Sequence, residues 1–413
     1  MSTPTLDLIQ EMFLRYYTEC SGEIGVPRGL VKREIGVVLF RDRIMVRHRT
    51  LRTIDELKDF LRSTNPSDVY YSSAYYEQPD APEMNAKAWI GADLIFDIDA
   101  DHVPTSCEKI HDTWQCVNCG FAGRGLVPEA CPVCRGSKFL EKNWVCDTCL
   151  ESAKSETAKL VEVLMRDFGF SEKDLHVYFS GHRGYHVHVE EESIRALDAV
   201  ARREIVDYLS GMGLDIRFHG VEERNLEGSN VFIGPCLNDL GWRGRIARGA
   251  FSFLQAAGQE DLANMDLDRK VVNALLKKKE KIIENWKEGH LSRVKGLGFE
   301  TWRKLFERSS SLQSVCVDTV VTPDVHRLIR MAGTLHGKTG LKKVEFPISK
   351  LEEFDPLRDA VAFKSGAMFV SVSEAPRFRM GEEVFGPYKE ETINLPTAAA
   401  MFLLCNSVAK VAD

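Results

Sequence analysis

The spacing of apolar and polar residues over the first hundred positions predicts short strands that alternate with helices. Residues 35–40 (IGVVLF) and 43–48 (RIMVRH) are rich in apolar and β-branched side chains, and the polar pair Arg41–Asp42 separates them, which favours two neighbouring strands. Residues 51–62 (LRTIDELKDFLR) have apolar side chains at helical spacing, and Thr53 is placed to cap that helix.

Three later segments combine strand patterns with polar ends. Residues 93–101 (DLIFDIDAD) predict a buried strand that runs into carboxylates, and residues 175–189 (LHVYFSGHRGYHVHV) predict two short strands joined by a glycine-bearing turn. Residues 318–341 mix strand, short-helix and glycine-rich patterns, and within them residues 324–330 (DVHRLIR) favour a helix.

Helical patterns dominate the middle of the chain. A helix is predicted over residues 151–168, and residues 190–310 are mostly helical by pattern. Residues 266–286 place seven apolar side chains on one face of a helix. The fold class is therefore α/β, more narrowly α+β, and we expect one assembly with insertions and without internal repeats.

Composition narrows the class of protein. The 413 residues include 54 Lys+Arg and 61 Asp+Glu, a formal charge of −7, and 44% are hydrophobic, which is typical of a globular chain. A mildly acidic balance excludes recruitment of nucleic acid by whole-molecule charge, so any such binding requires local patches. The longest apolar stretch, residues 398–405, is shorter than a membrane span, and the first residues lack a secretory pattern. We expect a cytoplasmic protein, associated with the nucleoid.

Asp97 and Asp99 are two apart on a predicted strand, so both side chains point to the same face. Adjacent carboxylates repel each other, and a divalent cation removes that cost. Paired carboxylates that share Mg²⁺ or Mn²⁺ are what two-metal phosphoryl transfer needs. The alternative is a solvated strand end with acidic caps.

Two clusters supply candidate phosphate ligands. Residues 180–186 (SGHRGYH) place a hydroxyl, a guanidinium and two imidazoles on a turn with two glycines, where the backbone can approach a ligand closely. A hairpin turn with surface histidines is the alternative. The second cluster holds a carboxylate, cations and a glycine-rich loop: Asp318, Arg330, His336 and Lys338. It is not a phosphate loop of the GxxxxGK[ST] type, because its glycines are too close together.

Cysteine spacing predicts zinc. Seven of the eleven cysteines lie between positions 107 and 149, a pattern typical of metal sites in a large cytosolic protein. Two C-x2-C pairs eleven residues apart have the spacing of a zinc ribbon: Cys116, Cys119, Cys131 and Cys134. A second, enclosing Cys₃His site is predicted from Cys107, His111, Cys146 and Cys149, with His102 as the substitute ligand. Closed ligand shells indicate two structural zinc ions.

The three polar segments, in this order, closely resemble the signatures of the archaeal and eukaryotic-type DNA primase small subunit. Residues 47–62 and 68–79 are similar to that family's upstream region, and the ending of the third segment resembles archaeal members. The resemblance covers most of residues 30–200 and 315–345. It implies a catalytic core with an RRM-like antiparallel sheet across 1–413, a zinc-binding insertion at 105–150, a mostly helical insertion at 200–312, and completion of the core by 313–413.

The resemblance also implies roles for individual residues. Asp97, Asp99 and Asp318 would be the metal-binding catalytic aspartates. Ser180, Arg183 and His186 would hold the phosphates of the incoming nucleotide, assisted by Arg330 and His336. Position 182 departs from the eukaryotic pattern, which has arginine where this chain has His182, so a partial charge replaces a full one near neutral pH.

The implied activity is template-dependent synthesis of short primers from NTPs, with extension by dNTPs as a further expectation. The implied partners are a large regulatory subunit and single-stranded DNA template. Two alternatives remain at this point. One is a primase-polymerase of the repair, end-joining or plasmid type, and the other is a non-catalytic zinc-ribbon protein that binds nucleic acid.

A basic segment in the middle of the chain is a second candidate for nucleic-acid contact. Residues 268–308 hold twelve Lys+Arg and six acids, a local charge of +6. Such a patch can contact template phosphates, and the alternative is a solvated helix face. Residues 294–298 (VKGLG) resemble a helix-hairpin-helix phosphate turn, although Trp302 stands where that motif prefers a small residue.

Overall fold

The computed structural model of the chain describes residues 3–107, 109–226, 229–287 and 297–412, with the backbone alone for 222–233. These residues form two compact units. The larger unit comprises Met1–Ala158, Glu172–Arg203 and Val317–Asp413, and the helical unit comprises Lys159–Ser171 and Glu204–Cys316.

Helices and strands alternate along the described residues. The helices are α1 (Thr3–Glu19), α2 (Ile54–Thr64), α3 (Asp147–Arg166), α4 (Ala199–Ser210), α5 (Gly241–Ala256), α6 (Gln259–Ala263), α7 (Arg269–Lys287), α8 (Phe299–Gln313), α9 (Pro356–Asp359) and α10 (Thr397–Cys405). The strands are β1 (Ile35–Val38), β2 (Met45–Arg49), β3 (Asp68–Ser72), β4 (Ala74–Tyr76), β5 (Trp89–Ala92), β6 (Leu94–Asp99), β7 (Thr113–Cys116), β8 (Ala122–Arg124), β9 (Phe139–Lys142), β10 (Leu175–Phe179), β11 (Gly184–Val189), β12 (Glu222–Leu226), β13 (Ser229–Ile233), β14 (Leu328–Arg330), β15 (Val344–Phe346), β16 (Ala367–Ala375), β17 (Phe378–Met380), β18 (Glu383–Phe385), β19 (Tyr388–Pro396) and β20 (Ala409–Val411).

The elements predicted near the start of the chain are present. β1 and β2 pair in antiparallel fashion on either side of the polar turn. The hydroxyl of Thr53 accepts the backbone N–H of Glu56 at 3.1 Å, which caps α2, and Leu57 and Leu61 are the buried residues of that helix. Local patterning was sufficient here because each element carries its own start signal and its own apolar face.

Two four-stranded antiparallel sheets organise the larger unit. Their strand orders are β14-β3-β1-β2 and β15-β10-β11-β6. In the second sheet β10 and β11 form a hairpin, and β6 lies beside β11 with Asp97 opposite His186 and Asp99 opposite Gly184. The mixed helix and sheet class expected from the sequence is confirmed, and antiparallel pairing brings the predicted carboxylate strand alongside the predicted basic turn.

The structure differs from the local expectations at two places, and only the first of these expectations was wrong. Residues 324–330 do not form a helix: residues 328–330 are β14, which pairs with β3. Over seven residues, apolar spacing cannot distinguish a helix from a strand. Residues 328–330 form a strand because they pair with the free edge of β3. The second difference is the hairpin of β12 and β13, which interrupts the mostly helical stretch.

The helical unit has its own apolar core. Trp286 of α7 and Trp302 of α8 are fully buried, and their rings lie 6.4 Å apart. The apolar face predicted for α7 supplies Val272, Leu275 and Ile282 to the same cluster. The indole N–H of Trp286 donates to a backbone carbonyl at 3.1 Å, which satisfies its one polar atom.

The longest apolar stretch of the chain forms a buried helix. Residues 399–405 of α10 are all buried, as expected for a helix that is apolar on every side and surrounded by protein. Among the described residues, no helix combines the length and the apolar content that crossing a membrane requires.

Candidate active site and metal centres

The three predicted catalytic aspartates converge at the end of β6. Asp97 and Asp99 lie on the same face of this strand, and the backbone N–H of Asp318 donates to the carbonyl of Asp97 at 2.8 Å. The side chains of Asp97 and Asp318 remain 22% and 24% exposed, so solvent and ligands can reach both carboxylates. Backbone pairing therefore joins a distant segment to the carboxylate strand.

The carboxylates are close enough to perturb one another. Burial, followed by the negative charges of Asp99 and Asp318, raises the pKa of Asp97 to about 7. Arg327 and Lys343 oppose this shift with positive charge, but they do not cancel it. Neighbouring carboxylates repel one another, and a hard divalent cation bound between them removes this repulsion. Their oxygen atoms are the ligands that Mg²⁺ and Mn²⁺ prefer, so the three aspartates fit either ion.

A cleft of about 170 Å³ adjoins these aspartates and contains most of the predicted phosphate ligands. Its lining residues are Tyr70, Asp97, Asp99, Ser180, His182, His186, Arg327, Leu328, Ile329, Arg330 and His336. The turn between β10 and β11 supplies Ser180 and His182, and β11 supplies His186. Gly181 in that turn has a φ of +89°, and a Cβ there would lie 3.0 Å from the Cβ of His336, so glycine permits the close approach of the two segments.

The cleft histidines are neutral at pH 7. Burial lowers the pKa of His182 to about 4, and burial also lowers the pKa values of His186 and His336. The rings of His182 and His336 stack 4.9 Å apart. Within the described part of the chain, Nε2 of His182 and Nδ1 of His186 are buried without a hydrogen-bond partner. The partial charge expected for His182 is therefore absent, and the rings offer hydrogen bonds instead.

Arg330 is the buried cation of the cleft. Its Nη1 donates to Asp68 at 2.7 Å and its Nη2 donates to the hydroxyl of Tyr70 at 3.2 Å. Asp68 was not among the predicted site residues. Its contact with Arg330 exists only because β3 and β14 pair in the folded chain.

Lys343 is a second cation that sequence reasoning missed. Its side chain is fully buried, and its Nζ donates to the carbonyl of Arg330 at 2.8 Å. Burial and the charge of Arg330 lower its pKa to about 7, while Asp97 acts in the opposite direction. A lysine directly before β15 gives no sequence signal of burial. Arg327, in contrast, stands inside the third polar segment and was recognisable there as a cation.

Arg183 lies outside the cleft. Its side chain is fully buried, its Nη1 donates to Asp112 at 2.7 Å, and its Nη2 forms an ion pair with Asp101. Ser180, His182 and His186 of the same predicted group do reach the cleft. The difference follows from the hairpin, because alternate residues of a strand point to opposite faces.

The four zinc-ribbon cysteines form a cluster whose dimensions suit a tetrahedral metal ion. Their sulfur atoms all lie within 4.8 Å of one another, with 3.5 Å between Cys116 and Cys134 and 3.6 Å between Cys119 and Cys131. A tetrahedral zinc ion with bonds of about 2.3 Å separates its sulfur ligands by about 3.8 Å. A backbone hydrogen bond from Cys134 lowers the pKa of Cys131 to about 7, which favours the thiolate. The cluster therefore fits zinc.

The enclosing cluster has the same dimensions. Cys107 lies 3.5 Å from Nε2 of His111 and 3.6 Å from Cys149, and Cys146 completes the set at 3.9 Å from Cys107. A hydrogen bond from Cys149 lowers the pKa of Cys146 to about 4. His102, named as a substitute ligand, is not in this cluster: its Nε2 lies 4.0 Å from Asp318.

The basic middle of the chain is described in part. On α7, Lys277 and Lys281 are exposed, whereas Lys279 donates to the carbonyl of Ala257 at 3.0 Å. Most of the segment resembling a helix-hairpin-helix turn, residues 294–296, lies outside the described residues.

Clustered aspartates beside a cleft of buried hydrogen-bond donors and cations are an arrangement suited to nucleotidyl transfer. Comparison with known sequences leads to the same class. Residues 137–348 match the family described as DNA primase small subunit. The chain is 36% identical to "DNA primase small subunit PriS" of Methanothrix thermoacetophila, with all of both chains covered, and 32% identical to that of Methanococcoides burtonii, with 99% of each covered. The corresponding protein of Archaeoglobus fulgidus is 33% identical over 97% of each chain.

The chain belongs to the DNA primase small subunit family. It is a DNA primase, and its role is that of the catalytic subunit, as the resemblance of the three polar segments implied.

Proposed function

We propose that the cleft beside β6 is the nucleotidyl-transfer site, with Asp97, Asp99 and Asp318 as the ligands of two divalent cations. The observation that carries this proposal is the convergence of three partly exposed carboxylates, one of which has a pKa raised to about 7 by its burial and its neighbours. Bound Mg²⁺ or Mn²⁺ would activate a 3′-hydroxyl and stabilise the charge of the phosphoryl transfer and of the pyrophosphate leaving group.

The opposite wall of the cleft is suited to a nucleoside triphosphate. The hydroxyl oxygen of Ser180 accepts two backbone N–H groups of its own turn at 3.3 Å, which leaves its proton free for a phosphate oxygen. Nδ1 of His336 accepts the N–H of Lys338 at 3.1 Å, so its Nε2 carries the proton and can donate. His182 and His186 add buried ring nitrogens that have no protein partner in the described residues.

Positive charge in this wall comes from Arg327 and Arg330 rather than from histidine. Arg330 is held in place by Asp68, and Arg327 and Lys343 both act on the charge of Asp97. These cations would neutralise charge that develops on the departing pyrophosphate. Arg183 is not part of this group.

The two cysteine clusters would hold structural zinc. All four ligand positions of each cluster are supplied by the protein, which leaves no open position for catalysis. The larger unit would form the primase core, and the sheet β15-β10-β11-β6 would correspond to the RRM-like sheet implied by the family. We propose a large regulatory subunit as partner, single-stranded DNA as template, and NTPs, with dNTPs as a second class, as substrates. Full-length similarity to small subunits favours this assignment over a primase-polymerase of repair or plasmid type.

The test is dinucleotide formation on single-stranded DNA with Mg²⁺ or Mn²⁺. Asp97→Asn, Asp99→Asn and Asp318→Asn should each lower the rate at least about 100-fold, the order of effect seen when one strong electrostatic contact is removed from a reaction centre. Asp59→Asn is the matched control, because its carboxylate is 76% exposed on α2, and it should leave the rate unchanged.

Folding is monitored by circular dichroism and zinc content. A folded Asp97→Asn/Asp99→Asn double variant that forms dinucleotides at the wild-type rate would remove these residues from the reaction. Template binding without any dinucleotide formation by the wild-type chain would instead favour a non-catalytic role.

A further inference from the structure

A chain of buried polar contacts begins at the enclosing cysteine cluster. Nε2 of His111 faces the thiolates of this cluster, and Nδ1 of the same ring lies 2.8 Å from Oδ1 of Asp112. The backbone N–H of Trp144 also donates to Oδ1 of Asp112, at 2.7 Å. A carboxylate on the far nitrogen of a metal-binding histidine fixes the orientation of the ring.

Arg183 continues this chain toward the active site. Its Nη1 donates to Oδ2 of Asp112 at 2.7 Å, and its Nη2 pairs with Oδ1 of Asp101. The guanidinium is therefore clamped between a residue of the cysteine-rich insertion and the turn that follows β6. The guanidinium is fully buried and Asp112 is only 9% exposed, so this pair is weakly screened, whereas Asp101 is 39% exposed at the other end.

The turn after β6 is held from three further directions. The amide of Asn143 donates to the second carboxylate oxygen of Asp101 at 3.1 Å, and Nζ of Lys109 donates to its backbone carbonyl at 2.6 Å. The backbone N–H of Asp101 in turn donates to Oδ1 of Asp99 at 2.9 Å. A shift of Asp101 would thus be felt directly at the carboxylate of Asp99.

These contacts are incompatible with a phosphate grip by Arg183. Turning the guanidinium into the cleft would leave the carboxylates of Asp112 and Asp101 without their shared cation, and breaking the buried pair with Asp112 would cost about 3–5 kcal/mol. The strand geometry opposes it as well, because Arg183 stands opposite the end of β6 with its backbone carbonyl 3.3 Å from the N–H of Ala100.

We propose that Arg183 is a positioning residue that ties the turn carrying Asp99 to the enclosing zinc site, through His111, Asp112 and Asp101. Its task is to hold the Asp99 carboxylate where a divalent cation can bind between the aspartates. This assignment rests on the proposed function, since it needs the aspartates to be the cation site. On this assignment, a zinc ion in the enclosing cluster would hold the His111 end of this connection rigid.

The experiment measures Mn²⁺ binding to the full chain without nucleotide, by electron paramagnetic resonance titration, together with zinc content and steady-state kinetics. Arg183→Ala should keep two zinc ions and lose about 10- to 100-fold in Mn²⁺ affinity, the range found when an indirect partner of a metal ligand is removed. Arg183→Lys should recover part of that loss. Arg124→Ala is the control, because this arginine is 70% exposed in the same insertion, and its Mn²⁺ affinity and zinc content should be those of the wild type.

A different pattern of results would identify Arg183 as a phosphate ligand. If Arg183→Ala binds Mn²⁺ with wild-type affinity while the KM for NTP rises 10-fold or more, the proposal is overturned. Should Arg183→Ala lose zinc or fail to fold, Asp101→Asn tests the same connection from its 39% exposed end, and unchanged Mn²⁺ affinity there would equally overturn it. Asp97→Asn separates the positioning role of Arg183 from the existence of the cation site. If this variant also binds Mn²⁺ normally, the proposed cation site itself is wrong.

Discussion

At the scale of single residues, the cleft depends on buried charges that the protein pairs in advance. Oδ1 of Asp68 accepts from Arg330 at 2.7 Å and from the backbone N–H of Gly337 at 3.0 Å, while the hydroxyl of Ser67 donates to Oδ2 at 2.7 Å. Because both oxygens of the carboxylate are engaged, the guanidinium of Arg330 is oriented before any substrate arrives. The same logic applies to Arg183 and its two carboxylates.

Removing the carboxylate of Asp68 should be costly. Asp68→Asn leaves the buried guanidinium of Arg330 without its counter-charge, and we expect a loss of about 3–5 kcal/mol in the free energy of unfolding at pH 7. Urea denaturation measures this loss. Asp59→Asn, an exposed carboxylate paired with Arg62 at the surface, is the control and should change stability by less than about 0.5 kcal/mol.

The stabilisation by Asp68 should also depend on pH in a defined direction. Burial raises the pKa of Asp68, but Arg330 and the other donors outweigh burial and hold it below its usual range. The contribution is therefore complete above the unfolded value of about 4 and is lost as pH falls below it, by about 1.4 kcal/mol per pH unit. The difference between wild type and Asp68→Asn should narrow accordingly between pH 4 and pH 3. A difference that stays constant over this interval would contradict the assignment.

At the scale of elements, the site is assembled from strand ends and one inserted module. β11 is central because it lies between its hairpin partner β10 and the carboxylate strand β6. Gly184 permits this pairing, since a Cβ there would lie 2.3 Å from the carbonyl oxygen of Ile98. The inserted module has little apolar core of its own, as a three-stranded sheet of β8, β7 and β9 with Trp114 between Phe121 and Phe139. Zinc bound at the two cysteine clusters would supply the missing stability.

The inserted module should therefore contain two zinc ions per chain. Metal analysis of the purified protein should give a value near two, and both Cys119→Ser and Cys146→Ser should reduce it to near one, because each removes a ligand from a different closed set. Cys20→Ser is the matched control, since this cysteine belongs to neither cluster. A wild-type value near one would show that the enclosing site is not a zinc site.

At the scale of the whole molecule, charge is unevenly distributed. The chain carries −7 overall, yet residues 268–308 carry a local charge of +6. α7 buries Val272, Leu275, Ile282 and Trp286, and it exposes Lys277 and Lys281, which are four residues apart on one face. Binding of a polyanion by an acidic protein then depends on where its cations are grouped rather than on their total number.

Charge reversal on α7 should weaken binding of single-stranded DNA. Lys277→Glu/Lys281→Glu should lower the affinity and reduce the slope of log K against log salt by about 1.4, which corresponds to two lost phosphate contacts on a single strand. Lys173→Glu/Lys389→Glu changes the net charge equally at exposed sites elsewhere and should leave the slope unaltered. An identical slope for wild type and the α7 variant would make this helix face a solvated surface only.

The sequence by itself predicted those features that depend on neighbours within about fifteen residues. The strand with Asp97 and Asp99, the hairpin with its turn, the capped helix α2 and the C-x2-C pairs all follow from local spacing, because strand alternation, capping and chelation act over short stretches of chain. Short segments with mixed signals were the exception: residues 324–330 were expected to be helical, and residues 328–330 form a strand because β3 offers a partner.

Only the tertiary structure decided which charged groups face one another. Asp68 and Arg330 are 262 residues apart, and no local pattern links them. Lys343 is a buried cation because of the strands around it, and burial made the cleft histidines neutral. Arg183 shows this most clearly. The sequence placed it in a phosphate-binding motif, but in the fold its side chain points away from the cleft toward Asp112 and Asp101. A sequence records which donors and acceptors exist, but their pKa values and partners depend on burial and on contacts between distant segments, and these exist only in the folded chain.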